Sequence, residues 1–260
     1  MEMKILSVVL SLACLSMSAK ASTVLLSYSA GAADPTPSAQ GWGGTGTSTV
    51  TGQAFDDNGR QVWRVYDPGL AAVSGSVVTN RTYGRTITEA MKNSVMDQGW
   101  ELSATLSIPT DDPAGGNVIG VSSNIWVGFI ANEETGRRLW ALQWGRAANG
   151  DTLVSAYGVS GTLTLSPGYH DYSMLYDPLT ELVSIYVDGE FWKTYNGGVL
   201  TGSGTNQIYW GDNNGQSTVQ DPRAAYYESV TFSAMTIPEP SRMLLMVIGS
   251  LSLIWHRKRR

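Results

Sequence analysis

Gly168-Tyr-His-Asp-Tyr-Ser-Met-Leu-Tyr-Asp177 runs through a short turn into Val183-Ser-Ile-Tyr-Val-Asp-Gly189. In the first stretch Tyr172, Met174 and Tyr176 fall at every second position, the repeat that places side chains on one face of a strand. Asp177-Pro178-Leu179-Thr180 has the composition of a turn. Val183, Ile185 and Val187 then alternate with Ser184, Tyr186 and Asp188, so the first set faces an interior. Asp188-Gly189 is a tight hairpin turn. Two antiparallel strands with one apolar face each set an all-β reading for the chain.

The flanking sequence extends that pattern. In Trp100-Glu-Leu-Ser-Ala-Thr-Leu-Ser-Ile108, Leu102, Ala104, Leu106 and Ile108 alternate with Glu101, Ser103, Thr105 and Ser107, which predicts a half-buried strand. Residues 124 to 131 are apolar on both faces and predict a central strand. Residues 138 to 145 put Trp140, Leu142 and Trp144 on one side. Residues 152 to 157 predict another strand, and Leu163 and Leu165 a short one. Nearer the N-terminus, residues 24 to 29 form a first strand. Residues 61 to 66 form another after the turn Asp56-Asp57-Asn58-Gly59, with Val62, Arg64 and Tyr66 opposite Trp63 and Val65. Residues 31 to 53, rich in Gly, Ser, Thr, Ala and Pro around Trp42, read as loop or irregular edge. One short helix, near 87–98, breaks the pattern. Thr86 and Glu89 are placed for a capping box, Met91 and Val95 share a face, and Gly99 can close the helix in a left-handed conformation. Strands at this spacing indicate a sandwich or barrel, and no internal repeat is present.

The strand pair at 168 to 189, with the helix and Gly99-Trp100 ahead of the long strand, resembles laminin-G-like and concanavalin A-like jelly rolls, including lectin-like modules attached to some sialidases. The resemblance covers about residues 85 to 233. It implies an antiparallel jelly-roll β-sandwich and says less about function, because that fold hosts lectins, glucanases and inert modules.

The chain ends carry a different message. Pro238-Glu239-Pro240 precedes the apolar run Met243 to Trp255, and the chain stops on His256-Arg257-Lys258-Arg259-Arg260. Proline disfavours helix just before itself, so a helix can start only after Pro240. The apolar run satisfies its backbone in lipid as a helix, and Arg257, Lys258, Arg259 and Arg260 remain in the cytoplasmic headgroup layer. Thirteen residues span roughly 20 Å against a hydrocarbon core of about 30 Å. These three blocks resemble the PEP-CTERM sorting signal of exopolysaccharide-producing Gram-negative bacteria. The resemblance implies processing by a membrane-embedded exosortase after export. Export requires a leader, and Lys4, the apolar block 5 to 15 and the small-x-small site Ala19-Lys20-Ala21 supply one, a signal helix. The expected organisation is a signal peptide at 1–21, an ectodomain at 22–236 and the sorting tail with its hydrophobic helix at 237–260. The expected route runs from an inner-membrane intermediate to the cell surface or extracellular matrix.

Cys14 is the chain's single cysteine, and signal cleavage removes it. The mature chain then has no disulfide and no thiolate. Residues 22 to 237 carry 20 acidic and 10 basic side chains, a net charge of −10. That balance argues against nucleic acid or an anionic polymer as partner and leaves neutral polysaccharide open.

No strand carries the alternating carboxylates of concanavalin A-like glucanases. Asp111-Asp112 and Glu133-Glu134 are adjacent pairs beside turns. His170 is the ectodomain's lone histidine, which with no cysteine makes a zinc site a poor fit. No catalytic residue and no cofactor are expected. Calcium is the open case, since Asp56-Asp57-Asn58-Gly59 and Asp212-Asn213-Asn214-Gly215 offer oxygen ligands on turns; neither follows a complete loop motif, and Asx turns explain both better. Among the tryptophans, Trp140 and Trp144 read as core. Trp192 and Trp210 lie beside turns and are candidates to stack on sugars, with Asp212, Asn213 and Asn214 bonding hydroxyls. The sequence therefore points to a non-catalytic exported protein whose jelly roll binds glycan. The alternatives are a structural matrix protein without specific ligand, or a divergent glycosidase.

Overall fold

Alternating apolar and polar side chains build strands through most of the described residues. The computed structural model describes residues 21–46, 50–68, 81–110, 125–133, 136–202, 204–213 and 223–236. The first half holds β1 (Ala21–Ser29), β2 (Gly43–Gly46), β3 (Thr51–Asp57), β4 (Arg60–Asp67), β5 (Arg81–Thr86), the helix α1 (Glu89–Gln98), β6 (Trp100–Ser107) and β7 (Ile125–Glu133). Then come β8 (Gly136–Arg146), β9 (Thr152–Ala156), β10 (Thr162–Leu165), β11 (Tyr169–Asp177) and β12 (Leu182–Val187). The last four are β13 (Glu190–Tyr195), β14 (Gly198–Leu200), β15 (Gln207–Asp212) and β16 (Arg223–Thr236). The sandwich is the unit Val24–Ala234, and the chain ends, Met1–Thr23 and Met235–Arg260, form a separate unit. The signal and C-terminal helices expected from the sequence lie outside the described residues.

Two antiparallel sheets result. The first runs β13-β12-β11-β6-β16-β4-β3, with β1 also on β16. The second runs β10-β9-β8-β7-β15-β5-β2, with β14 on β8. The deciding hairpin has the expected register: Tyr172 opposes Val187, Met174 opposes Ile185, and Tyr176 opposes Val183. All six are buried. Ile125, Val127 and Phe129 of β7 and Trp140, Leu142 and Trp144 of β8 close the core from the second sheet.

Aromatic rings make two nests in this core. Trp100 stacks on Tyr176 at 5.6 Å and meets Phe129 and Trp140 edge-on. Trp210 lies among Tyr83 at 4.5 Å, Tyr28 at 4.7 Å, Tyr227 at 4.8 Å and Trp42 at 6.1 Å.

Three local expectations change. Residues 31 to 53 contain an edge strand, β2, and the start of β3; β2 is Gly-Gly-Thr-Gly, which has almost no side-chain pattern to read. The helix is capped by Thr88, whose hydroxyl accepts from the Met91 N–H, because Thr86 is already committed to β5. Gly99 ends the helix at φ 95°, but its ψ of 159° is extended, so the chain passes straight into β6.

Candidate functional site

At β6 and β11 the outer face of the first sheet is largely polar, because the alternate residues of these strands are committed to the core; toward β4 the same face carries the apolar cluster Val62, Ala224 and Tyr226. On β6, Leu102, Ala104 and Leu106 point inward, leaving Glu101, Ser103 and Thr105 outward. On β11 the inward set Tyr172, Met174 and Tyr176 leaves Asp171, Ser173 and Leu175 outward. The registers bring these residues side by side. Ser229, Thr105 and Asp171 form one row across β16, β6 and β11. Thr231, Ser103, Ser173 and Tyr186 form the next, and Ser233, Glu101, Leu175 and Ser184 the third. Neighbours across a row stand about 4.8 Å apart.

A cleft of about 280 Å³ opens on this face, lined by Glu101, Ser103, Thr105, Asp171, Ser173 and Gly189. Thr105 Oγ1 donates to Asp171 Oδ1 at 2.6 Å. Burial pushes the Glu101 carboxyl up from its ordinary range. No Lys or Arg lines the cleft among the described residues. A second cavity, of about 450 Å³, lies further along the same two strands, with Asp57, Ser107, Thr110, Gly168, Tyr169 and Tyr226 in its walls. There Tyr169 donates its phenolic O–H to Asp57 Oδ2 at 2.6 Å, and the Arg60 guanidinium sits 4.3 Å from the Tyr169 ring centroid. Burial, then the bond to Asp57, holds that phenol above its ordinary range.

His170 stands between the two cavities in sequence. Its Nδ1 lies 2.7 Å from Asp188 Oδ2 and its Nε2 2.9 Å from the Ser166 carbonyl oxygen.

The sugar-stacking candidates do not gather at one site. Trp210 is fully buried at the centre of its aromatic nest, so no face of its ring can meet a ligand. Asp212 is also fully buried and pairs with Arg223, which bonds Asp67 as well. That triad joins the ends of β4, β15 and β16, and it takes Asp212 out of sugar contact. Asn213 is half-buried just beyond β15, and Asn214 lies outside the described residues. Trp192 is half-buried on the edge strand β13, packs on the core, and has the Lys193 ammonium 4.2 Å from its ring centroid. Trp140 and Trp144 are core.

The turn at Asp56 to Gly59 is built from its own hydrogen bonds. Asp56 Oδ1 accepts from the Gly59 N–H at 2.6 Å, Asp56 Oδ2 from Gln61 at 2.7 Å, and Asp57 Oδ1 from Asn58 at 3.0 Å. No group of three or more His, Cys, Asp or Glu residues suited to a metal ion occurs among the described residues.

The hydroxyl-lined face was missed by sequence reasoning. Its signal was present in the Glu-x-Ser-x-Thr-x-Ser half of the β6 alternation, but only strand order shows that Ser173 and Thr231 flank Ser103.

No family model matches the sequence, and no curated protein does. Solved structures do match in fold. A carbohydrate esterase from the Shiga toxin-encoding bacteriophage phi24B superimposes with a TM-score of 0.56 at 11% identity, over 82% of this chain and 99% of that one. Botulinum neurotoxin type C, which interacts with two ganglioside molecules, matches with a TM-score of 0.46 at 13% identity, over 88% of this chain and 51% of that one. A sialidase matches with a TM-score of 0.45 at 9% identity, over 75% of this chain and 17% of that one. At these identities the likeness is one of fold: the chain is an antiparallel β-sandwich of the same general kind as the phage protein.

Proposed function

We propose that the chain is a non-catalytic exported protein of the jelly-roll type that binds neutral polysaccharide on the outer face of its first sheet. The hydroxyl-lined cleft at Glu101, Ser103, Thr105, Asp171 and Ser173 carries this reading. Hydroxyl side chains both donate and accept, which matches the hydroxyls of a sugar. Carboxylates accept bidentately from neighbouring hydroxyl pairs but repel anionic groups, so Glu101, Asp171 and the ectodomain's net charge of −10 favour a neutral ligand.

The non-catalytic reading rests on the sequence, in which no strand carries the alternating carboxylates of a concanavalin A-like glucanase. The phage esterase shares the fold and lends no activity to this chain.

Export and sorting rest on the chain ends. The leader at 1 to 21 delivers the protein to the export machinery, and the tail from Pro238 to Arg260 holds it in the inner membrane until an exosortase acts. The released or tethered sandwich then reaches the surface or the extracellular matrix.

Affinity electrophoresis in gels cast with the producing organism's exopolysaccharide tests the binding. The native protein should be retarded, with no effect of salt. Ser173→Trp, which fills the cleft, should migrate freely, whereas Ser155→Trp on the outer face of the second sheet should not. Free migration of the native protein in every gel would leave a structural matrix protein without a specific ligand.

A further inference from the structure

His170 is the first inward-facing residue of β11, and its neighbours Tyr169 and Asp171 belong to the two cavities of the first sheet. Its side chain is 11% exposed. Both ring nitrogens face groups that only accept: the Asp188 carboxylate at 2.7 Å and the Ser166 carbonyl at 2.9 Å. A neutral imidazole has one N–H and can serve one of them. The imidazolium serves both.

The two acceptors are not equally free to move. Asp188 sits in the β12–β13 turn at φ 52° and is tied to β11 twice. Its N–H donates to the Asp171 carbonyl at 2.7 Å, and its Oδ1 accepts the Asp171 N–H at 2.9 Å. Burial opposes ionisation of Asp188, but the bonds from His170 and Asp171 outweigh it and hold the carboxyl below its ordinary range. Asp188 is thus a fixed anion. Ser166 begins the turn Ser166-Pro167-Gly168 between β10 and β11. Gly168 has φ 138°, and no described atom beyond its chain neighbours lies within 4 Å of where a Cβ would stand. Pro167 and Gly168 line the 450 Å³ cavity.

We propose that His170 is a pH-sensitive clamp that closes the Ser166–Gly168 turn against the end cavity only while its ring is doubly protonated. When the ring loses a proton, the remaining N–H stays with the carboxylate, because a hydrogen bond to a charged group is the stronger one. The bare Nε2 then faces the Ser166 carbonyl, two acceptors repel, and the turn lets go. Among the described residues, the other titratable groups around the ring are Asp171 and Tyr172, both of β11. Asp171 is bonded to Thr105, and the Tyr172 ring lies edge-on at 6.2 Å. Across the sheet, β6 presents Leu106. The clamp therefore loosens as pH rises and the imidazolium gives up one of its two N–H protons. It is also lost in strong acid, once Asp188 itself is protonated. Coupling this clamp to ligand rests on reading the outer face as the polysaccharide site, and predicts tighter binding at mildly acidic pH.

Amide hydrogen exchange of the full chain in detergent tests the clamp without a ligand. Rates at about pH 5.5 and about pH 8 are corrected for intrinsic exchange, the two conditions bracketing imidazole titration. The amides of the first residues of β11 that pair with β6, the His170 amide first, should lose roughly five- to tenfold in protection at the higher pH, the scale of one hydrogen bond. In His170→Gln and His170→Ala the two conditions should give equal protection. Nitrogen shifts of the ring, assigned with His256→Gln, should show two N–H groups in acid and Nδ1–H alone at the higher pH. Equal protection of the native protein at both pH values overturns the clamp, as does an unchanged pH dependence in both variants or a surviving proton on Nε2. Exchange that changes as expected in a protein never retarded by polysaccharide supports the clamp and refutes the binding reading.

Discussion

Trp210→Ala separates a core role from a binding role at the residue where the two readings differ most. Trp210 is fully buried, with four aromatic rings centred within 6.1 Å. Truncating a buried Trp costs about 3 to 5 kcal/mol through lost transfer energy and the cavity left behind. Well-placed ring pairs add about 0.5 to 1.5 kcal/mol each, although four pairs sharing one ring do not sum independently. Trp210 touches rings from both sheets: Tyr28 of β1 and Tyr227 of β16 in the first, Tyr83 of β5 in the second. Their collapse into the gap would shift one sheet against the other, so the cost should sit near the top of the range, about 5 kcal/mol. That is a large part of a domain's usual margin of about 5 to 15 kcal/mol. For a chain of this size it lowers the melting temperature by roughly 10 to 20 °C. Thermal melts followed by near-ultraviolet circular dichroism, which reports the packed rings, supply the measurement. Trp192→Ala, at the half-buried edge, should shift the melt far less. A Trp210→Ala protein that melts within about 2 °C of the native one would refute the core assignment.

Two further outcomes are expected. Val187→Asp should unfold the sandwich, because Val187 is buried opposite Tyr172 and an unpaired buried charge costs several kcal/mol, whereas Ser184→Asp on the outer face should stay within about 0.5 kcal/mol; denaturant midpoints of the two variants decide the face assignment. Replacing Pro238, Glu239 and Pro240 with Ala should leave export intact and hold the unprocessed chain in the inner membrane, and an intact mass showing a native surface form that still ends at Arg260 would refute processing.

Where a strand keeps one period from end to end, the alternation of side chains was enough to place it. β6, β11 and β12 have their expected inward faces. β16 is fourteen residues long and escaped notice for a definite reason. Ala225 and Tyr227 face inward at odd positions, and Val230, Phe232 and Ala234 at even ones. A register shift between Tyr227 and Ser229 changes the parity midway, as a bulge does, and no single period fits the whole strand. β15 fails differently. Ile208 and Trp210 face inward, yet Tyr209 between them is buried too, in a cluster with Trp126, Leu139 and Ala141 on the other face of the second sheet. With both faces apolar, the sequence offers no contrast from which to assign Trp210 to either side.

The same packing explains why the polar outer face at β6 and β11 was not legible in the sequence. Aromatic richness suggests rings offered to sugars. Here the chain's one cysteine leaves no intrachain disulfide to steady the core, and tryptophan is the largest apolar filler. Trp42, Trp63, Trp100, Trp126, Trp140, Trp144 and Trp210 are all buried, and Trp192 is turned partly into the edge. With those rings committed inward, the cleft on the outer face is left with residues of opposite parity: Ser103, Thr105, Ser173, Glu101 and Asp171. Those side chains are individually unremarkable on a strand. They become a candidate site only when four strands of distant sequence bring them into rows, with β16 between β4 and β6 although 115 residues separate Ser107 from Arg223 in the chain. The preference of such a face follows from what it lacks. Without exposed rings or cations among the residues lining the cleft, hydrogen bonding must supply the affinity, so contact should be weak per site and strengthened by many copies on one surface.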